Sequence, residues 1–92
     1  MNPAPPAIRL SLYTRRHCHL CDEMKAVIRE VGADVPLELE EIDVDGSRDL
    51  KKRYGLDVPV LAAEGEEIAR HRVTAGTLRE ALRKRQAGRH GA

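Results

Sequence analysis

Two cysteines carry the chemistry this sequence can offer. Cys18 and Cys21 are the only cysteines in the chain, and they sit three apart in "RRHCHLCDEM". A disulfide needs Cα atoms about 4.4–6.8 Å apart with converging Cβ vectors, and residues i and i+3 across the first turn of a helix meet that requirement. The closed loop is short, so such a bond stabilises a fold less than a long-range one and suits switching better than stapling. Zinc also uses C-x-x-C, but a zinc site needs about four ligands. There is no second cysteine pair, and no two of His17, His19, His71 and His90 show the spacing of a zinc finger. Two inert buried thiols are the remaining alternative. The helix start after a strand is the context in which C-x-x-C reads as redox.

The elements that position the pair follow from the hydrophobic pattern. Ile8, Leu10 and Leu12 alternate, which predicts a strand. Leu20, Met24, Val27, Ile28 and Val31 fall within about 100° of helical arc, with Gly32 as the expected C′ residue. Cys18 then stands at or near the N-cap and Cys21 one turn in. Unpaired amides and the positive end of the macrodipole stabilise a thiolate at Cys18. Arg15, Arg16, His17 and His19 add positive or partly positive neighbours. Cysteines so placed titrate well below an ordinary thiol. The asymmetry suggests that Cys18 attacks and Cys21 resolves.

"VPLELEEIDVD" predicts a second strand, and Glu38, Glu40 and Glu41 mark it as an edge. "DGSRDLKKRYG" predicts a short helix capped by Asp45 or Ser47, with Leu50 and Tyr54 on one face and Gly55 as its stop. "DVPVLAAEGEEIARHRV" predicts a hairpin in which Val58, Val60 and Ala62 alternate, "EGE" turns, and Ile68 and Arg70 begin the return strand. "TAGTLREALRKR" predicts a last helix capped by Thr74, with Leu78, Ala81, Leu82 and Arg85 on one face. The expected order is βαβαββα in one domain, residues 8–86. A flexible leader (1–7) and a disordered basic tail (87–92) are expected to flank it.

Composition narrows the function classes. The chain has 92 residues, 16 basic and 15 acidic, for a net charge near +1. That balance argues against a nucleic-acid binder. Phe and Trp are absent and Tyr13 and Tyr54 are the only two tyrosines, which leaves little for base stacking. No apolar run is long enough to span a membrane. The opening "MNPAPPAI" has neither a basic n-region nor an apolar h-region, so no signal peptide is expected. The expected compartment is the cytosol, where a cysteine pair is more naturally a transient catalytic disulfide. Nothing argues for a dimer, so a monomer is expected.

"LYTRRHCHLC" after a first strand, "EIDVD" closing a second and "VPVL" opening a third resemble the glutaredoxins, over about Ile8 to Arg85. In detail the chain resembles the small bacterial glutaredoxin-like proteins. The resemblance implies a thioredoxin-like α/β fold: a four-stranded mixed sheet with helices on both faces. It implies a thiol–disulfide oxidoreductase that serves cell redox homeostasis, with Cys18 as nucleophile and Cys21 as resolver. Its substrate would be a disulfide-bearing protein or small thiol; no cofactor would be bound, and glutathione would be the candidate reductant. It also implies a cis bond at Val58-Pro59, with the Val58 backbone pairing to the substrate. Arg15, three before the first cysteine, takes the position of a basic glutathione contact. His19 replaces the proline usual after the first cysteine and is placed to tune the Cys18 thiolate. The segment "RHRVTAG" lacks the Gly-Gly-x-Asp of glutaredoxins; Arg72 and the amides at Thr74 and Ala75 stand where a glutathione carboxylate could be met. Two further classes remain open: an iron–sulfur or metal-binding module, and a thioredoxin-fold binding module without redox activity.

Overall fold

The computed structural model describes residues 7–90, with side chains to residue 86. Met1–Pro6 of the expected leader and the last two residues of the expected tail lie outside the described residues. The element order is β1 (Ile8–Thr14), α1 (His19–Gly32), β2 (Leu37–Asp43), a 3₁₀ turn (Val44–Gly46), α2 (Arg48–Tyr54), β3 (Val60–Ala63), β4 (Glu66–Arg70) and α3 (Ala75–His90). The four strands form one mixed sheet in the order β2-β1-β3-β4. β2 runs parallel to β1, whereas β3 is antiparallel to both β1 and β4. This is the predicted βαβαββα arrangement.

The core lies between one face of the sheet and helices α1 and α3. Ile8, Leu10 and Leu12 point there from β1, each at most 1% exposed, and meet Met24, Ile28 and Val31 of α1 and Leu78 and Leu82 of α3. Burying side chains of this size stabilises by about 1.5–3 kcal/mol each. The opposite face carries Tyr13, whose ring stacks on Tyr54 of α2 at 4.4 Å between centroids. α2 therefore covers the other side of the sheet. β2 is an edge strand, as its glutamates indicated, and none of its residues is fully buried.

Several local expectations are corrected. Gly32 is the last helical residue of α1, and the cap is Ala33 in right-handed conformation, so no left-handed glycine ends this helix. The third strand begins at Val60 rather than Val58, and all four of its residues are buried because both faces of the sheet are covered there. The return strand begins at Glu66, ahead of Ile68. The tight turn between them places Glu64 and Gly65 at φ of 51° and 84°. Positive φ at both central residues is the two-residue hairpin geometry that matches strand twist. Ser47, not Asp45, caps α2, accepting the Leu50 N–H at 3.3 Å. Thr74 caps α3 as expected, accepting the Thr77 N–H at 3.1 Å. The α3 backbone passes the expected boundary at residue 86 and stays helical to His90.

Charged pairs fasten the helices. Asp34, just past α1, accepts two hydrogen bonds from the Arg79 guanidinium of α3, both at 3.0 Å. These bonds hold the Asp34 carboxyl below its usual range. Lys25 of α1 reaches Glu41 of the edge strand at 3.2 Å, and that hydrogen bond raises the lysine.

Candidate active site

Strand β1 ends at Thr14, and the chain turns sharply before α1. His17 takes a left-handed conformation with φ of 57°, which returns Cys18 to an extended conformation as the helix N-cap. The Cys18 Sγ accepts the Cys21 N–H at 3.1 Å, so a sulfur does the capping work that serine or aspartate does elsewhere. Cys18 and Cys21 are joined by a disulfide with Cα atoms 5.2 Å apart. The two sulfurs are not equivalent in position: Cys18 is half-buried and Cys21 is only 2% exposed. His19 opens the helix and is exposed, as are Arg16 and His17 on the turn before it.

The Val58-Pro59 bond is cis. Tyr13 pairs with Val60, so Pro59 lies level with the end of β1, where the chain leaves for Cys18. The disulfide turn and the cis-proline therefore occupy the same end of the sheet. Pro59 is buried and Val58 half-buried. The Pro59 carbonyl accepts the His71 N–H at 2.8 Å, which brings the loop before α3 to the same place. Asp57, next to Val58, pairs with Arg70 at 3.0 Å and faces His71 Nε2 at 3.6 Å. A cleft of about 560 Å³ opens between α1 and this loop. Apolar Met24, Val27, Ile68 and Val73 line it together with exposed His71 and Arg72.

Arg15, at the position that the resemblance gives to a basic glutathione contact, is held by groups of its own chain. Its guanidinium forks onto the Asp45 carboxylate at 3.2 and 3.1 Å and donates to the Gly55 carbonyl at 3.0 Å. Sequence reasoning singled out neither Asp45 nor Gly55 as a partner. Among the described residues, no group of three or more His, Cys, Asp or Glu side chains is arranged to hold a metal ion. No helix among the described residues is long and apolar enough to cross a membrane.

The profile of the glutaredoxin-like domain family (DUF836) matches residues 9–83. The chain belongs to this family. Two solved structures bear the same stamp. The protein Ne2328 of Nitrosomonas europaea is 34% identical, with a TM-score of 0.75 over 88% of this chain and 98% of that one. The X. campestris protein XcR50 is 33% identical, with a TM-score of 0.71 over 82% of this chain and 96% of that one. A malaria-parasite thioredoxin-2 is 16% identical, with a TM-score of 0.61 over 85% of this chain and 82% of that one, and shows the common fold. The glutaredoxin-like domain thus has a thioredoxin-like fold with a Cys18-x-x-Cys21 pair at the start of its first helix.

Proposed function

We propose that this glutaredoxin-like protein is a cytosolic thiol–disulfide oxidoreductase. The observation that carries the proposal is the Cys18–Cys21 disulfide across the first helical turn, with the outer sulfur at the N-cap and the inner one shielded. In the reduced protein the Cys18 thiolate attacks one sulfur of a substrate disulfide. A bond forms from Cys18 to that sulfur, the substrate S–S bond breaks, and the first thiolate leaves and takes a proton. Cys21 then gives up its proton and attacks the Cys18 sulfur. The Cys18–Cys21 bond forms, the mixed disulfide breaks, and the second substrate thiolate departs. The substrate gains two electrons and the dithiol loses two. Two equivalents of an external thiol such as glutathione restore the dithiol by the same exchange in reverse.

The helix start supports Cys18 as the nucleophile, because its orphan amides and positive dipole end favour the thiolate at the cap. His19, the next residue in the chain, is exposed. The Val58 backbone beside the cis-proline offers an edge on which a substrate chain can lie in extended pairing. Leu56, 95% exposed and two residues before Val58, favours a polypeptide substrate, since it offers an apolar contact next to that edge. The protein acts as a monomer with no bound cofactor.

Trapping tests the assignment. Cys21→Ser should accumulate a mixed disulfide through Cys18, detectable by mass. Cys18→Ser should abolish exchange with both protein and glutathione disulfides. Full activity in Cys18→Ser would sink the proposal.

A further inference from the structure

Helix α2 leads into the loop that carries Val58-Pro59, yet it buries no side chain completely. Its C-terminal end is joined to the end of β1 by the Tyr54 ring on Tyr13 and by the Arg15 guanidinium on the Gly55 carbonyl. The same guanidinium is forked onto Asp45 in the 3₁₀ turn after β2. Arg15 lies three residues before Cys18, and Gly55 lies four before Pro59. One planar group therefore spans the turn that presents the cysteine, the turn that ends β2, and the loop that presents the cis-proline.

We infer that Arg15 is a positioning residue that holds the Cys18 turn and the Val58-Pro59 segment in fixed relation, and that it does not itself grip the substrate. The inference rests on the redox reading above. Its geometry is specific to arginine: two parallel N–H donors match the two oxygens of Asp45 while a third reaches the carbonyl. A substrate carboxylate would have to displace Asp45 from a bidentate pairing, exchanging one carboxylate for another without adding a contact. The pair is about one-third exposed on each side, and exposed ion pairs contribute little to stability. The consequence of losing it belongs to the alignment of the two loops, where small displacements of reacting groups are costly.

Arg15→Ala, Arg15→Lys, Asp45→Asn and the double Arg15→Ala/Asp45→Asn variant test this. Each is assayed on two substrates: a glutathione mixed disulfide of a small thiol, and a peptide disulfide with no carboxylate near its cysteines. If Arg15 positions, kcat/KM falls on the order of tenfold for both substrates alike. Asp45→Asn then reproduces the loss, and the double variant is no worse than either single one. If Arg15 instead grips glutathione, the loss appears only in KM for the glutathione substrate. Asp45→Asn, which frees the guanidinium, then leaves that KM unchanged or lowers it; this result overturns the inference. A wild-type protein inactive on both substrates would refute the oxidoreductase reading, not this one. The equilibrium of the Cys18–Cys21 couple in glutathione redox buffers still decides in that case. Equal shifts in Arg15→Ala, Asp45→Asn and the double variant support positioning, and values identical to wild type overturn it. Arg15→Lys and Asp45→Asn keep the test open should Arg15→Ala fail to fold.

Discussion

Gly55→Ala sets two physical effects against each other at the end of α2. Gly55 has φ of −55° and ψ of −32°, a right-handed conformation open to any residue. On that ground alanine should stabilise the protein by about 0.4–1 kcal/mol, because it reduces the freedom of the unfolded chain. The local packing opposes this. A Cβ at position 55 would overlap the Lys51 carbonyl oxygen and lie 3.3 Å from its carbon, whereas real Cβ atoms essentially never come within 3.0 Å of a heavy atom. The obstacle is backbone and cannot swing aside. The same carbonyl accepts the Gly55 N–H at 2.8 Å, so relieving the overlap strains a hydrogen bond as well. Overpacking of this kind costs about 1–3 kcal/mol. The net effect is a destabilisation of about 1.3 kcal/mol, the difference between the midpoints of these two terms. At about 4–8 °C per kcal/mol for a domain of this size, Tm should fall by roughly 5–10 °C. Thermal unfolding followed by far-UV circular dichroism reads this directly. A Tm equal to or above wild type would refute the steric argument and leave only backbone freedom to explain the glycine.

Two further outcomes follow from the packing and the charges. Leu61, fully buried in the centre of the sheet, should cost about 2–5 kcal/mol when changed to alanine, lowering the midpoint of urea unfolding with little change in slope. Asp34 is held low by its hydrogen bonds from Arg79, against an opposing effect of desolvation. A carboxyl depressed in the folded state contributes stability above its unfolded value, and loses it as pH falls through the folded one. Asp34→Asn should therefore lower Tm at pH 7, and the gap to wild type should narrow below the ordinary aspartate value of 3.8. A gap that widens in acid would contradict the Asp34–Arg79 assignment.

Much of the fold was legible because its signals are local. Ile8, Leu10 and Leu12 alternate along β1, and the structure buries all three. Met24, Ile28 and Val31 mark the α1 face, and Thr74 caps α3 through its own hydroxyl. Cys18 at the N-cap could be placed because the strand, the turn and the helical pattern bracket it. Features set by distant partners stayed hidden. Arg15 carries no mark of Asp45, thirty residues away, or of Gly55, forty away. The alternation of Val58, Val60 and Ala62 misled because β3 is covered on both faces, so Leu61 and Ala63 are buried as fully as their neighbours. Gly32 and Gly55 look alike as helix stops, but neither is left-handed; Gly55 is instead confined by the Lys51 carbonyl.

The claim that Cys18 and Cys21 form a working redox pair is tested most directly by their reduction potential. The protein would be equilibrated in glutathione redox buffers without oxygen, quenched with acid and alkylated, and its free thiols counted. A working pair should give a reversible two-electron couple between roughly −200 and −270 mV, the range spanned by glutaredoxins and thioredoxin. A value near −120 mV would mark an oxidant. Either that value or the absence of any reversible disulfide would contradict the account.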